Sequence, residues 1–324
     1  MTSSQVPDGT VAAELGVPAR RRRPLSRSRT LRGSVPYLLI LPVAVVVGAI
    51  LGYPLYKLVT LSFQQYGLPE LIQRKGEWIG FDNYESVLRD SIFWDTLLRT
   101  VVFTVANVVL TMVIGTLLAL LLVRVSTLVR VLLTAGLVLV WSMPVVVAVQ
   151  IFYWMTNFQN GILNYVLAQV GFVAEQHNFY ETTFSKLAMV TVLIVWGALP
   201  FVTITVYAGL AQVPRELVEA AEIDGAGPLR VFRDVTFPVL KPILLILTSL
   251  SIIWDFGVFT QPYLLIGSSQ LDPTNYLMGV YVFLEGYARS DFGRGAAISL
   301  LMLVMVLTLS VVYVARMVRA EAEA

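Results

Sequence analysis

Between two long apolar runs the sequence reads Pro214-Arg-Glu-Leu-Val-Glu-Ala-Ala-Glu-Ile-Asp-Gly-Ala-Gly-Pro-Leu-Arg-Val-Phe-Arg-Asp-Val-Thr-Phe-Pro-Val-Leu-Lys241. Pro214 suits the first turn of a helix, and the two glutamates that follow it favour a helix N-terminus. Gly225 ends that helix, and Pro228 can begin another. The stretch therefore predicts a short helix, a tight bend and a second short helix outside the hydrocarbon of a membrane. Such a segment suits contact with another protein.

The composition indicates a membrane protein. Of the 324 residues, 57% are hydrophobic and only 14% are charged, whereas soluble domains carry about 25% charged residues. The chain has no cysteine and a single histidine, His177, which excludes a disulfide framework, a thiolate metal site and a histidine metal cluster. None of the four lysines follows a glycine, so a Walker phosphate-binding loop is absent and nucleotide hydrolysis by that route is excluded.

The hydropathy pattern divides the chain into two regions. Residues 1–32 are polar, hold seven arginines and predict a disordered basic cytoplasmic tail, and residues 33–319 predict an all-α, six-helix transmembrane domain. A spanning helix needs about 20 mostly apolar residues. The predicted spans are 33–60, 94–123, 131–154, 187–213, 242–266 and 295–317, and residues 214–241 form a cytoplasmic loop between the fourth and the fifth.

The distribution of lysine and arginine predicts the orientation, because cytoplasmic loops of membrane proteins carry an excess of these residues. With the N-terminus inside, fifteen of the 23 basic residues fall on the cytoplasmic side and eight on the outer side. The sequence therefore predicts that both termini are cytoplasmic.

The loop resembles the EAA loop of ATP-binding-cassette (ABC) importer permeases, whose pattern is EAA-x3-G-x9-I-x-L-P. Here Glu219-Ala220-Ala221 is followed after three residues by Gly225, and after nine more by Val-Thr-Phe-Pro. The departures from the pattern are apolar exchanges at Val235 and Phe237. The resemblance implies the type I ABC importer permease fold. It also implies a coupling helix that docks in a cleft of the ATPase subunit, a role that falls on Glu219, Ala220, Ala221, Asp224 and Gly225.

Further segments resemble the carbohydrate branch of that family, the maltose-type permeases in particular. They are Gly80-Phe-Asp-Asn-Tyr84, Trp196-Gly-Ala-Leu-Pro-Phe201, Asp224-Gly-Ala-Gly-Pro228 and Asp291-Phe-Gly293. The resemblance covers about residues 35–318. One departure is Ser268-Ser269-Gln270, where the branch often has Gly-Gly-Pro, and it leaves the conformation of that outer loop open.

Asp255 is the one ionisable residue well inside a predicted span. Because a charge in lipid is costly, its side chain should face a cavity or a partner group. At helical spacing Ser251, Trp254, Asp255 and Val258 share one face, which suits an aromatic stack and a carboxylate against a sugar. In maltose-type permeases the corresponding face carries substrate contacts, with Asn in place of Asp255. The resemblance adds Gly197, Ala198 and Phe201 of the fourth span. The alternative is that Asp255 makes a hydrogen bond at a helix–helix interface.

The resemblance implies the permease subunit of an importer that moves a carbohydrate, a di- or oligosaccharide, across a bacterial inner membrane. It implies no catalytic residue, no metal and no cofactor in this chain, since ATP and Mg²⁺ bind to a separate ATPase. The implied partners are ATPase subunits, a second homologous permease, an extracytoplasmic solute-binding protein and membrane lipid, but no nucleic acid.

Other functions stay open from the residues alone. An importer of the same class could carry glycerol phosphate, a polyamine or an amino acid. Glycerol phosphate would favour an arginine deep in a span, and none lies there. A polyamine would favour several acidic residues, and Asp255 is the one acid there. A secondary transporter that works alone would need more charges within the spans to couple an ion. A purely structural anchor, like that transporter, would leave residues 214–241 without a role.

Overall fold

The computed structural model describes residues 29–172, 177–267 and 270–322, with side chains from residue 39 to 316 within those ranges. The chain divides into two compact units, residues 1–55 and 56–324. The described part of the first unit belongs to the first helix, which begins at Arg29, just inside the predicted tail. The rest of that tail lies outside the described residues.

The described part of the chain is almost entirely helical, apart from a short antiparallel pair of strands, β1 (Gln64–Gln65) and β2 (Glu77–Trp78). The helices are α1 (Arg29–Ser62), α2 (Leu68–Gln73), α3 (Asp82–Arg89), α4 (Ser91–Arg124), α5 (Thr127–Ser142), α6 (Val145–Met155), α7 (Ile162–Gln169), α8 (Thr183–Leu210), α9 (Arg215–Ile223), α10 (Pro228–Val231), α11 (Phe237–Phe256), α12 (Thr260–Ile266), α13 (Met278–Phe283) and α14 (Phe292–Ala322). Two π-helical segments, Phe232–Thr236 and Leu284–Ala288, precede α11 and follow α13.

Within the described residues, five helical stretches are long and apolar enough to cross a membrane, or six if α5 and α6 count together as one broken span. The five are Leu39–Ser62, Ser91–Arg124, Thr183–Leu210, Pro228–Phe256 and Phe292–Arg316. They overlap the first, second, fourth, fifth and sixth predicted spans.

The third predicted span, 131–154, is not one helix. α5 ends at Ser142, α6 begins at Val145, and the two axes differ by 103°. Pro144 explains the break, because proline lacks a backbone N–H and disfavours the helical conformation of the residue before it. Met143 accordingly has extended backbone angles.

The loop predicted over 214–241 is shorter in the structure. A bend at Gly225 follows α9, but from Pro228 the chain stays helical into α11. The expected second short helix is therefore the first part of a long one. The π-helical segment Phe232–Thr236 lies just before Pro238, where the missing N–H already interrupts the regular helical hydrogen bonds. At the other end the helix stops at Phe256, ten residues before the predicted limit of the span.

The centre of the second unit is a close packing of α4, α8 and α11. A Cβ atom on Gly115 of α4 would lie 2.7 Å from Val202 Cγ1 of α8, and one on Gly209 of α8 would lie 2.9 Å from Leu240 Cδ2 of α11. Val202 and Leu240 are almost fully buried. These glycines let the helices approach closely, as small residues do in membrane bundles.

Candidate functional site

A cavity of about 290 Å³ lies where the end of α5, the middle of α8 and the end of α11 meet. Its lining is mostly apolar and aromatic, with Asp255 and Gln261 as polar members. The lining residues are Val140, Trp141, Met143, Val145, Ala148, Leu193, Ile194, Trp196, Gly197, Ala198, Phe201, Trp254, Asp255, Val258 and Gln261. Apolar walls with a few placed polar groups are typical of small-molecule sites.

The structure brings together six of the seven residues that the sequence suggested for a substrate path. Gly197, Ala198 and Phe201 contribute from α8, and Trp254 and Asp255 from the end of α11. Val258 follows in the connection to α12 and lines the same cavity. Ser251 does not line it and lies buried one turn earlier in α11.

Asp255 lies buried beside this cavity, with 7% of its surface exposed. Among the residues that the structure describes, no group donates a hydrogen bond to its carboxylate. The alternative of a hydrogen bond at a helix–helix interface therefore finds no partner in the described part of the chain. Because burying an unpaired carboxylate is costly, its position favours a group that a ligand can reach.

Three aromatic rings form a row along the cavity, an arrangement we call the aromatic row. The Trp141 ring stacks on Phe201 with centroids 5.9 Å apart and planes 20° apart. Phe201 in turn lies 5.6 Å from Trp254, with planes inclined by 57°. The row thus joins α5, α8 and α11 at one wall of the site.

Sequence reasoning missed Trp141 and Gln261. Trp141 lies in the last turn of α5, and the signal that could have found it is Pro144, three residues further along the chain, which ends that helix. Gln261 lies in α12, which the structure separates from α11 at Gly257. Trp141 and Gln261 fall in the predicted spans 131–154 and 242–266, for which the sequence predicts single unbroken helices.

The second candidate site is the coupling segment, residues 214–228. Glu219 and Ala220 are exposed on α9, and Ala221 is half-buried. Asp224 caps the C-terminus of the helix. Gly225 has φ +80°, and its N–H donates to the Glu222 carbonyl oxygen at 3.0 Å. With the bond from the Ala226 N–H to the Ala221 carbonyl oxygen at 2.9 Å, this is the Schellman ending, which favours glycine.

Apolar side chains surround this bend. Leu217, Ile223 and Leu229 are 52%, 86% and 82% exposed, and exposed glutamates lie beside them on α9. Exposed apolar side chains with a polar rim are typical of a protein interaction surface.

The two candidate sites lie at opposite ends of one helical stretch. Residues Pro228–Phe256 begin at the coupling segment and end at the cavity. With a rise of 1.5 Å per residue, the 29 residues span roughly 43 Å. A continuous helical backbone therefore joins the coupling segment to Trp254 and Asp255.

A family sequence pattern and individual relatives match this chain. The pattern described as "Binding-protein-dependent transport system inner membrane component" matches residues 111–321. The chain belongs to this family. It is a permease, the membrane component of a binding-protein-dependent transport system. The matched range contains the cavity, the aromatic row and the coupling segment.

Among curated proteins, the permease is 41% identical to the diacetylchitobiose uptake system permease protein of Streptomyces coelicolor, over 94% of this chain and 92% of that protein. It is 30% identical to the trehalose/maltose transport system permease protein of Thermococcus litoralis, over 89% of this chain and 95% of that one.

Among solved structures, the permease resembles a chain of a bacterial ABC transporter involved in the import of the acidic polysaccharide alginate, with a TM-score of 0.77 and 18% identity. The match covers 90% of this chain and 99% of the other. At that identity the likeness concerns the fold, and it agrees with the type I ABC importer permease architecture expected from the sequence.

Proposed function

We propose that this permease carries a di- or oligosaccharide into the cell as one membrane subunit of an ABC importer whose ATPase is a separate chain. The observation that carries the proposal is the cavity in which Asp255, with no donor of its own among the described residues, lies beside the aromatic row. Aromatic faces stack on the apolar face of a sugar, and a carboxylate accepts hydrogen bonds from its hydroxyl groups. The names of the diacetylchitobiose and trehalose/maltose relatives support the same cargo class.

In this proposal the permease provides the pathway for the sugar and the coupling segment that responds to the ATPase, and it catalyses no reaction. The coupling segment docks on the ATPase through Glu219, Ala220, Ala221, Asp224 and Gly225, with the exposed Ile223 and Leu229 beside them. ATP and Mg²⁺ bind to the ATPase, and this chain holds no cofactor. ATP-driven closure of the ATPase subunits displaces the coupling segment, and that displacement shifts the population between outward- and inward-facing arrangements of the spans.

The proposal places both termini in the cytoplasm, following the excess of basic residues on that side. The coupling segment then faces the ATPase, and a solute-binding protein delivers the sugar from the other side. The family description supports such a binding protein. One copy has too few spans to enclose a transport pathway by itself. The proposed complex therefore contains a second homologous permease, and the pathway lies between the two.

The lining of the cavity argues against the alternative cargoes. Among the described residues that line it, none is lysine or arginine, the groups that a glycerol phosphate would need. A polyamine carries several positive charges, whereas the lining has Asp255 as its one carboxylate. A neutral sugar fits a lining that has one carboxylate and neither lysine nor arginine better than these charged cargoes do.

The test is sugar uptake by the reconstituted complex with Asp255→Ala and Asp255→Asn. The alanine variant should lower the rate of import by about tenfold or more, because a hydrogen bond to a charged group contributes about 1.5–3 kcal/mol. The asparagine variant should retain more activity, since its amide still bonds hydroxyl groups. Copurification of the ATPase should be unchanged in both variants. Normal uptake by Asp255→Ala would remove Asp255 from the path.

A further inference from the structure

We propose that a groove beside the coupling segment binds an anionic phospholipid. The acyl chains of the lipid lie along an apolar floor from α4 and α11, and its phosphate meets the arginines of the rim, Arg124, Arg130 and Arg215. The inference goes beyond the proposed function. It rests on that proposal only for placing the groove on the cytoplasmic side of the membrane.

The groove lies where the ends of α4 and α8 meet α9 and the beginning of the helical stretch Pro228–Phe256. Its volume is about 1480 Å³, and it shares no lining residue with the cavity beside Asp255. Small-molecule sites usually measure about 300–1,000 Å³. The groove is therefore a separate site, and its size suits an occupant as bulky as a lipid.

The floor of the groove is apolar. Val113, Leu117 and Leu121 of α4 line it and are 52%, 60% and 46% exposed. Leu244 and Leu245 of α11 complete the floor. All five residues belong to helical stretches that are apolar enough to cross a membrane. Because a polar group without a partner is costly at that depth, the floor calls for an apolar occupant such as an acyl chain.

The rim of the groove is basic. Arg124 is the last residue of α4, Arg130 lies in the first turn of α5, and Arg215 is the first residue of α9. Lys241 also lines the groove. Arginines at the ends of apolar helices reach the depth of the lipid phosphates. Basic pockets between spanning helices on the cytoplasmic side bind anionic lipid headgroups.

Arg130 is held in place by groups that leave its charge uncompensated. Its side chain donates to the Leu122 carbonyl oxygen at 2.7 Å and to the Val125 carbonyl oxygen at 3.1 Å. Its guanidinium also lies 5.8 Å from the centre of the Tyr207 ring of α8. None of these partners carries a formal charge. The rim therefore presents a fixed positive group before any lipid binds.

The carboxylates of the groove do not neutralise the three arginines. Glu219 and Glu222 line the groove from α9. Among the described residues, however, neither forms an ion pair with Arg124, Arg130 or Arg215. A phospholipid matches both parts of the groove at once, since its phosphate supplies the negative charge and its chains cover the floor. A protein subunit seated in the groove is the competing occupant.

The experiment uses the complete importer, purified in detergent and freed of lipid. Native mass spectrometry counts the bound lipid and gives its Kd. The probes are phosphatidylglycerol, phosphatidylcholine with the same acyl chains, and inorganic phosphate as a competitor without chains. The variants are Arg124→Gln and Arg124→Lys at the rim and Leu117→Trp in the floor. The matched control is Arg316→Gln, which changes an exposed arginine of α14 that does not line the groove.

Wild type should bind phosphatidylglycerol more tightly than phosphatidylcholine, and inorganic phosphate should compete poorly because it leaves the floor uncovered. Arg124→Gln should weaken the binding of phosphatidylglycerol about fivefold, the usual effect of one basic residue near anionic lipid. Its affinity for phosphatidylcholine should stay the same. Arg124→Lys should keep most of the preference, because it keeps the charge. Leu117→Trp should weaken both lipids, and Arg316→Gln should behave as wild type.

A thiol in the floor distinguishes a lipid from a protein occupant. The chain has no cysteine, so that Leu121→Cys gives it a single thiol. In the lipid-free importer this thiol should react with a maleimide, and phosphatidylglycerol should slow that reaction several-fold more than phosphatidylcholine does. A thiol that is protected in the assembled importer whatever lipid is added would show that a protein subunit covers the groove, and would overturn the inference.

The remaining outcomes separate the lipid site from the proposed function. Equal binding of phosphatidylglycerol by wild type, Arg124→Gln and Leu117→Trp would overturn the lipid site, and so would equal affinity of wild type for the two lipids. Neither result bears on sugar uptake, since Asp255 does not line the groove. Conversely, normal uptake by Asp255→Ala together with the expected lipid binding would remove the cargo cavity and leave the lipid site in place.

Discussion

Arg294 Nη2 lies 2.5 Å from Asp90 Oδ2, and this ion pair joins the start of α14 to the start of α4. Both side chains are largely buried, with 20% and 22% exposed. Tyr281 of α13 donates to the same carboxylate oxygen at 3.1 Å, and Arg294 Nη1 donates to Ser86 Oγ of α3 at 2.7 Å. Arg294 Nε also lies 3.4 Å from Glu285 Oε2. The guanidinium therefore joins residues 86–90 to residues 281–294, two stretches that are distant in sequence.

The first prediction is that Arg294→Gln lowers the free energy of unfolding by about 1–3 kcal/mol, because it leaves the buried carboxylates of Asp90 and Glu285 without their shared partner. Burial already raises the pKa of Glu285, and Arg289 and Arg294 act in the opposite direction. Losing Arg294 should raise that pKa further. The measurement is thermal unfolding of the purified permease in detergent.

Arg89→Gln is the matched control for this change. Arg89 also pairs with a carboxylate, Glu85 Oε1 at 2.5 Å, but its side chain is 79% exposed. Exposed pairs contribute about 0–1 kcal/mol, so this variant should unfold within about 1 kcal/mol of wild type. Equal losses in Arg89→Gln and Arg294→Gln would show that burial of the cluster does not matter.

The second prediction concerns the close approach of α4 and α8 at Gly115. A Cβ atom there would lie 2.7 Å from Val202 Cγ1 and 3.1 Å from Val202 Cβ. Val202 is 1% exposed, and a β-branched side chain has little freedom to turn away. Gly115→Ala should therefore destabilise the permease by about 1–3 kcal/mol, as overpacking does. The measurement is again thermal unfolding in detergent.

Gly136→Ala gives the opposite expectation at a glycine of α5. A Cβ atom on Gly136 meets no other atom within 4 Å, and alanine is favoured over glycine inside a helix by about 0.5–1 kcal/mol. This variant should be as stable as wild type or slightly more so. A stable Gly115→Ala protein would mean that α4 and α8 can separate at no cost.

Hydropathy predicted the places where five long apolar helices lie in the described part of the chain, because a long uncharged run has few alternatives to a membrane helix. The break at Pro144 could not be predicted in the same way. Pro200 lies inside α8 and Pro242 inside α11, and both helices continue through them. Whether a proline breaks a span depends on whether its neighbours compensate for the missing hydrogen bond, which the sequence does not display.

The same limit applies to the candidate site. The helical face of Asp255 and the segment around Gly197 could be predicted because they depend on local spacing and on a family resemblance. Trp141 depends on where α5 ends and on its approach to Phe201, which is a tertiary property. The extension of the helix from Pro228 was missed because charged residues mark the edge of the hydrocarbon, whereas backbone hydrogen bonding continues past it.

The third prediction tests the bend of the coupling segment at Gly225. Its φ of +80° lies in the left-handed region, where a residue with a Cβ atom is strained by roughly 1–2 kcal/mol. Asparagine tolerates this region better than other residues, and β-branched residues tolerate it least. Gly225→Val should therefore displace α9 from its present direction, whereas Gly225→Asn should preserve it.

Because α9 is exposed, neither change should alter thermal unfolding of the permease by more than about 1–2 kcal/mol. In the assembled complex, Gly225→Val should reduce copurification of the ATPase and lower uptake several-fold. Gly225→Asn should stay close to wild type in both measurements. A steric clash cannot explain the expected difference between the valine and asparagine variants, because a Cβ atom on Gly225 meets no atom within 4 Å. Equal behaviour of the valine and asparagine variants would therefore show that the direction of the bend does not govern docking of the coupling segment.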